Sequence, residues 1–190
     1  MKNLLSFWIA LMLITALSSC HQKLAITKEF SCQNQKISAP KETVSDFKKT
    51  FSLDLPKHWN TKLYYDTKQS ELFSADTLKS INETIIINAS MVEESLTLDD
   101  SFKNRLEQAI KSGGLTTLKT GSADFKSYKG YYHLGEGVDK NMPIRVFQWY
   151  IDCKDNRYFR LKIDIYGDEN TDTKLCQALS LMRTLNINKQ

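Results

Sequence analysis

Four cysteines and three histidines are the residues of this 190-residue chain best suited to metal binding or redox chemistry. No two cysteines form a C-x-x-C pair, so neither a zinc knuckle nor a thioredoxin-type redox site is indicated. His21, His58 and His133 lie far apart in sequence, and no two of them have the spacing of a helical metal motif. The sequence therefore predicts no metal and no cofactor.

One serine–lysine pattern could support acyl transfer. Three short motifs follow the order found in penicillin-binding proteins and β-lactamases: Ser45-x-x-Lys48, Ser80-x-Asn82 and Lys119-Thr120-Gly121. That chemistry needs the serine at the start of a buried helix, with the lysine one turn later to take its proton. Ser45 instead lies in a polar segment just before a predicted strand. We therefore interpret the match as chance and predict a protein that is not an enzyme.

Cys20 closes an apolar segment at the start of the chain. Lys2 supplies a positive charge, residues 4–14 form an apolar run too short to span a bilayer, and small residues lead into Cys20. This arrangement resembles the lipobox of bacterial lipoproteins, which implies that the signal peptide 1–19 is removed and that Cys20 carries palmitate-type lipid. The alternative is an ordinary secreted protein with a chance cysteine near its cleavage site.

The lipobox resemblance implies a protein of the bacterial cell envelope. Each buried methylene contributes roughly 0.8 kcal/mol, so two or three acyl chains would hold the protein on the membrane almost permanently. His21 and Gln22 follow Cys20, with no aspartate directly after it. By resemblance to the enterobacterial sorting rule, this favours the outer membrane over the inner one.

The charges of the chain are mixed rather than clustered. Lysine and arginine number 26 and aspartate and glutamate 22, for a net charge of +4. No block of like charges is long enough for a nucleic-acid-binding arm. We therefore expect no nucleic-acid partner, and the membrane to be reached through the N-terminal lipid.

Composition divides the rest of the chain into a tether and a domain. Residues 20–50 are polar and carry few large apolar side chains, which predicts a lipidated cysteine and a flexible tether with a span of roughly 30 Å. A single domain follows over residues 51–190. Its predicted strands lie at residues 51–55, 62–66, 71–78, 84–94, 123–129, 131–138, 144–153 and 157–166. Helical spacing of apolar residues predicts helices over about 98–112 and 171–184.

The last two predicted strands form a hairpin whose register follows from side-chain parity. One face stays apolar only if three pairs are opposite one another: Ile151 with Phe159, Trp149 with Leu161, and Phe147 with Ile163. This register leaves residues 154–156 as a three-residue loop. The opposite face carries a predicted partner surface of Tyr150, Tyr158, Arg160, Lys162 and Tyr166, unless a helix covers it.

The hairpin also constrains the cysteines. Cys153 lies at its loop end, whereas Cys176 falls early in the last helix, which starts from the opposite end of the strands. Their sulfur atoms should therefore be roughly 20 Å apart, while a disulfide needs Cα atoms within about 7 Å. We predict that Cys176 is a buried reduced thiol and that Cys153 is free or paired with Cys32.

The order of these elements resembles the PsbP-like proteins, which include extrinsic photosystem II subunits and many bacterial lipoproteins of unassigned function. Three segments carry the resemblance: Leu55-Pro56-Lys57-His58-Trp59, Gly130-Tyr131-Tyr132, and the hairpin from Val146 to Gly167. It covers residues 51–187. It implies an α+β fold, an antiparallel sheet sandwiched by helices, in a family that mostly docks onto proteins. No catalytic residues are implied by it.

Two functional classes remain open at this point. The first is a lipid-anchored, non-catalytic module that docks onto another envelope protein, and the resemblance favours it. The second is a small-ligand carrier or an enzyme whose site is assembled from residues far apart in sequence. A deep apolar pocket with a convergent charged group would favour the second class. A shallow patch of exposed aromatic side chains would favour the first.

Overall fold

The computed structural model describes residues 24–33 and 37–188. Within them lie three α-helices: α1 (Ala25–Glu29), α2 (Asp100–Ser112) and α3 (Thr171–Leu181). Single 3-10 turns occur at Ile81–Glu83 and Met182–Thr184. The strands are β1 (Lys41–Ser45), β2 (Phe51–Pro56), β3 (Asn60–Tyr65), β4 (Gln69–Ala75), β5 (Ile85–Val92), β6 (Thr116–Ser122), β7 (Gly130–Asp139), β8 (Met142–Asp152), β9 (Tyr158–Tyr166) and β10 (Asn186–Ile187).

The strands form two antiparallel sheets. The large sheet has seven strands in the order β3-β4-β5-β9-β8-β7-β6, and the small sheet has three in the order β1-β2-β10. Most neighbouring strands of the large sheet are also consecutive in the chain and form hairpins. The long connection from β5 to β6 contains α2. The predicted α+β class and antiparallel sheet are confirmed, whereas the small second sheet was not predicted.

The large sheet separates two unequal layers. One face is mostly apolar, with Ser70 and Ser74 of β4 as buried polar exceptions. The small sheet, α1 and α3 cover this face to form the main core, with Trp149, Phe147 and Phe51 buried at its centre. On the opposite face α2 packs through Phe102 and its helical neighbours against the tyrosines of β7 and β8. Helices on both faces give the sandwich that the resemblance to PsbP-like proteins implied.

The β8–β9 hairpin has the register predicted from parity. Ile151 is opposite Phe159, Trp149 is opposite Leu161, and Phe147 is opposite Ile163. Residues 154–156 form the three-residue loop, and all three of its residues have positive φ. The need to keep one sheet face dry was sufficient to determine this register.

The strand predicted at residues 123–129 is wrong. These residues form a tight turn with a single bridge between Phe125 and Tyr128, and the strand that edges the sheet is β6. β6 is mostly exposed on both faces, so it shows no alternation of apolar and polar residues. The turn has a packing role instead, because the Ala123 carbonyl accepts a 2.9 Å hydrogen bond from the Trp149 indole.

The flexible tether predicted for residues 20–50 is wrong for the part that the structure describes. Helix α1 buries Ile26 completely in the main core, and β1 pairs along its whole length with β2. The domain therefore begins at or before Leu24 rather than near Phe51. Cys20 and the signal peptide 1–19 lie outside the described residues. None of the helices in residues 24–33 and 37–188 is long and apolar enough to cross a membrane.

The cysteine predictions are partly right. Cys153 and Cys176 are not joined, and Cys153 is a free thiol that is 2% exposed. Burial raises the pKa of the Cys153 thiol to about 11. The predicted reduced state of Cys176 is wrong, because Cys176 forms a disulfide with Cys32. The pairing was missed because residues 24–33 were assigned to a tether, while α1 in fact lies against α3.

Candidate functional site

The predicted partner surface lies on one face of β8 and β9, as parity required, but α2 covers part of it. The ring of Tyr150 lies 5.2 Å from that of Phe102, and its hydroxyl donates to the Gln148 side chain over 2.6 Å. Burial raises the pKa of Tyr150. The ring of Tyr158 lies 6.3 Å from that of Tyr150. These tyrosines are therefore largely engaged within the protein.

The charged groups of the same face are also mostly paired. Lys162 donates to Asp164 over 2.9 Å, and the Tyr166 hydroxyl donates to Asp139 over 2.7 Å. Burial, followed by the Asp139 carboxylate, raises the pKa of Tyr166 to about 12. Arg160 is half-buried, and its Nε has no partner within the described residues. This face presents one incompletely paired cation beside a helix.

A second surface, at the β3 edge of the large sheet, is much more exposed. Its aromatic and aliphatic side chains are Phe47 (55% exposed), Leu63 (40%), Tyr64 (52%) and Tyr65 (58%). We refer to these four residues as the β3 patch. The rings of Phe47 and Tyr65 are stacked with centroids 3.9 Å apart and planes 6° apart. Leu63 and Tyr65 lie on the face of β3 that Phe47 contacts, and Tyr64 lies on the other face, so the patch surrounds the exposed edge of the sheet. Large exposed side chains gathered along one edge are typical of a binding surface.

A rigid turn between β1 and β2 presents Phe47. The buried Asp46 carboxylate accepts hydrogen bonds from the backbone N–H of Phe51 (2.8 Å) and from the Thr50 hydroxyl (3.0 Å). It also accepts a 3.1 Å bond from the backbone N–H of Lys48, on the other side of Phe47. Phe47 is therefore held in the exposed position with its flanking backbone fixed, which lowers the entropy cost of using it for binding.

A second turn sets the other side of the patch. The Asp66 carboxylate accepts from the backbone N–H groups of Lys68 (2.7 Å) and Gln69 (2.8 Å). These two bonds are the main cause of the lowered pKa of Asp66. The turn connects β3 to β4 and aligns Tyr65 with Ser70 and Leu63 with Leu72. It thereby fixes the patch residues of β3 on an ordered strand.

The β3 patch has a positively charged rim. Lys48, Lys49, Lys62 and Lys68 lie in or next to the two turns and β3. None of them has a carboxylate within 4 Å among the described residues. Three acidic side chains lie near these lysines. Asp66 accepts hydrogen bonds within its turn, and Glu71 on β4 accepts one from the Asn88 side chain. Glu93 is adjacent to Lys68, since its backbone N–H donates to the Lys68 carbonyl, but its carboxylate lies within 4 Å of none of the four lysines. The surface therefore combines exposed aromatic rings with unpaired lysines.

A cleft of about 400 Å³ lies elsewhere, between residues 37–39, the β2–β3 turn and α3. His58 Nε2 lies 3.6 Å from the Asp76 carboxylate, which Lys79 also approaches at 3.8 Å. Ser38 lines the same cleft, but no hydrogen bond joins it to His58. The cleft is therefore polar, and its described lining residues include no hydrogen-bonded pair of nucleophile and base.

The serine–lysine motifs do not assemble into a site. Ser45 ends β1 and Lys48 lies in the following turn, so they are not one helical turn apart. Lys119 lies on β6, at the far edge of the large sheet. The match to acyl-transfer enzymes is a chance one, as expected.

Sequence reasoning missed the β3 patch. The strand itself was predicted, but its side chains were not considered as a surface. A signal was present, because Leu63, Tyr64 and Tyr65 are three consecutive apolar or aromatic residues in a short strand. In a strand that buries only one face, apolar and polar residues alternate. An unbroken apolar run therefore indicates either that both faces are buried or that one apolar face is exposed to solvent.

Comparisons with known proteins agree on the fold. Ran-binding protein Mog1p of Saccharomyces cerevisiae has a similar structure, with a TM-score of 0.55 and 10% sequence identity over 79% of this chain and 96% of that one. The cyanobacterial PsbP protein (CyanoP) of Synechocystis sp. is similar with a TM-score of 0.52 and 11% identity over 83% and 97% of the two chains. No protein-family model matches the sequence, and no curated protein matches it.

Proposed function

We propose that this protein is a lipid-anchored accessory module of the bacterial cell envelope, held in the outer membrane, that docks without catalysis onto another envelope protein. It has the Mog1/PsbP-like fold, which the sequence resemblance to PsbP-like proteins implied. The observation that carries the proposal is the β3 patch, where Phe47 and Tyr65 are stacked in the open on ordered turns.

The composition of the patch favours a protein partner over a small ligand. Tyrosine and phenylalanine are enriched at the centres of protein interfaces, where their large rigid rings bury area at little entropy cost. The patch lines none of the main clefts of the described residues, so it does not enclose a small molecule. Its turns are already ordered, which suits rigid docking.

The structural neighbours are consistent with this proposal without deciding it. The yeast protein is described as Ran-binding, so the same fold serves protein recognition in at least one case. With 10% identity between the two chains, no residue role is transferred from it.

A ligand carrier or an enzyme remains the alternative, and the His58–Asp76 cleft is where its site would lie. Asp76 is almost buried and has both His58 and Lys79 beside it, so the cleft concentrates charge. It lacks the deep apolar lining that would favour a carrier. A variant of His58 therefore separates the two proposals.

The test is co-purification from detergent-solubilised membranes of cells producing the tagged full-length protein. We expect an envelope protein to co-purify with the natural chain and to be lost, by about tenfold or more, from the Phe47→Ala/Tyr65→Ala variant. Leu78→Ala is the matched control, since Leu78 is 79% exposed but lies outside the patch. Retention by the patch variant, or loss on His58→Ala instead, would contradict docking through the patch.

A further inference from the structure

We infer that the partner contributes an extended, acidic segment that pairs with β3 as an additional strand of the large sheet. This inference rests on the proposed docking function and names the chemistry of the partner. Three features support it: the unpaired backbone groups of β3, the side chains on the two faces of β3, and the lysines around the β3 patch.

The backbone of β3 offers free hydrogen-bonding groups. The Asp66 N–H donates to the Gln69 carbonyl at the turn, so Asp66 and Gln69 form a hydrogen-bonded pair. In an antiparallel ladder every second pair is of this kind, so the pairs of Tyr64 and Lys62 with β4 are hydrogen-bonded as well. The pairs at Thr61, Leu63 and Tyr65 are then the non-bonded ones, and their N–H and C=O groups point away from β4. Among the strands of residues 24–33 and 37–188, β3 is the end strand of its sheet, so these groups face no other strand there.

The side chains of β3 would flank such an added strand. Leu63 and Tyr65 point to the same face of the sheet, the one on which Phe47 stacks against Tyr65. Lys62 and Tyr64 point to the opposite face. An extended segment beside β3 would therefore contact apolar groups on one side and a lysine with a tyrosine on the other, which is how strand addition obtains specificity.

The two edges of the large sheet differ in how open they are to pairing. β6 carries an irregularity between Thr117 and Lys119 and is composed mainly of threonine, lysine, serine and glycine. Bulges and polar residues of this kind discourage pairing with another chain. β3 pairs in regular register throughout and exposes Leu63, Tyr64 and Tyr65. One lysine, Lys62, is the only protective residue within it.

The charge of the rim selects an acidic occupant. Four lysines surround the patch, and none has a carboxylate partner among the described residues. A second copy of this chain would bring four further lysines to the same edge, and like charges across a strand pair are destabilising. Acidic side chains at alternate positions of a partner strand would lie beside Lys62 and Lys68 instead.

The test uses a photo-crosslinking amino acid in place of Tyr64 in the full-length protein, in native membranes, with the same probe in place of Thr116 on β6 as the control. We expect the Tyr64 probe, and not the Thr116 probe, to link to one continuous segment of another protein that carries net negative charge. Mass mapping identifies that segment. A link to lipid, to a second copy of this chain, or to a basic segment would overturn the inference, as would the absence of any link.

A pair of variants separates backbone pairing from side-chain contact. Leu63→Pro removes both the leucine side chain and a backbone N–H that does not bond to β4. Leu63→Ala shortens the side chain but keeps this N–H. Both variants carry the photo-crosslinking residue at position 64. We expect the cross-linking yield of Leu63→Pro to be about tenfold lower than that of Leu63→Ala. If Leu63→Pro proves unfolded by circular dichroism, Thr61→Pro with Thr61→Ala as its match replaces the pair, since the Thr61 N–H also points away from β4. A separate variant, Lys62→Glu/Lys68→Glu, tests the acidic character of the partner and should lower the yield by a similar factor.

Equal yields from the proline and alanine variants, with the patch link retained, would overturn strand addition while leaving docking in place. Loss of co-purification in Phe47→Ala/Tyr65→Ala tests docking separately, so the two failures are distinguishable. A charge-reversed variant that binds as well as the natural chain would overturn the acidic partner.

Discussion

Cys32 and Cys176 are joined by a disulfide across 144 residues of chain, with Cα atoms 5.3 Å apart. The bond fastens the segment after α1 to helix α3, which lies on the main core. Both cysteines are buried, with Cys32 8% and Cys176 6% exposed. The covalent link and the burial of Ile26 together make residues 24–33 part of the domain.

Removing this disulfide should destabilise the protein. A bond that closes so long a loop restricts the unfolded chain, and we expect Cys32→Ser to lower the free energy of unfolding by about 2–5 kcal/mol in urea titrations. Cys153→Ser is the control, because Cys153 forms no disulfide and the bond should remain. Mass mapping of the non-reduced protein should give a linked Cys32–Cys176 peptide pair. A linked pair containing Cys153 would contradict the structure.

Trp149 is the second stability test. It is fully buried, and its indole Nε1 donates to the Ala123 carbonyl over 2.9 Å. Emptying this site in Trp149→Ala should lower the free energy of unfolding by about 3–5 kcal/mol. Tyr64→Ala, an exposed aromatic position, should change it by no more than about 0.5 kcal/mol. Comparable effects of the two variants in the same urea titration would mean that Trp149 is not in the core.

His133 should make stability fall at mildly acidic pH. It lies beneath α2, 1% exposed, with Nε2 2.9 Å from the Thr117 hydroxyl and Nδ1 without a partner in the described residues. Burial lowers its pKa, and the Glu107 carboxylate opposes this only in part. Lys103 and Tyr131 line the same space.

The sign follows from proton binding. The unfolded chain binds a proton at His133 near pH 6.5, whereas the folded protein resists protonation at that pH, so stability is lost as pH falls below about 6.5. We expect urea midpoints to drop between pH 7.5 and 5.5 in the natural protein and to drop less in His133→Gln. Parallel pH profiles for the two proteins would exclude this role for His133.

The anchor is tested at Cys20. Cys20→Ala should abolish labelling with radioactive palmitate and leave unprocessed or released protein in fractionated cells, because the acyl chains have no attachment point. Cys153→Ala, which alters a buried thiol of the domain, should label normally. A Cys20→Ala protein that still labels and stays on the membrane would refute the lipoprotein assignment.

Much of the fold was predictable because its strands alternate. The β8–β9 register followed from Trp149, Ile151 and their partners, since a shift by one residue would have turned apolar side chains to the wrong face. Strand β6 could not be predicted in the same way, because its edge position leaves both faces polar. Periodicity reports burial, so exposed elements leave little trace in it.

The errors in the N-terminal segment and the site have another cause. Ile26 and Cys32 are only two residues of a polar stretch, and nothing local shows that one fills the core and the other meets Cys176. Likewise Phe47 and Tyr65 are 18 positions apart and stack only because two turns bring them together. Contacts of this kind belong to tertiary structure, and the composition of a segment does not encode them.

In the proposed lipid-anchored protein, the attachment of α1 would limit how far a partner stands from the lipid. Phe30 packs against Tyr132 of β7 at 5.3 Å, so the N-terminal segment meets the domain near the β7–β6 end of the large sheet. β3 is six strands from β6, a distance of about 29 Å at about 4.8 Å per strand. Only three residues lie between Leu24 and the proposed lipidated Cys20, so their Cα atoms are at most about 14 Å apart.

The height of the docking edge above the bilayer would then be set by the width of the sheet rather than by a loose linker. Reduction of the Cys32–Cys176 disulfide would leave the packing of α1, through Ile26 and Phe30, to hold residues 24–33 on the domain. In the proposed lipid-anchored protein, a reducing environment would therefore weaken the connection between the anchor and the domain without altering β3.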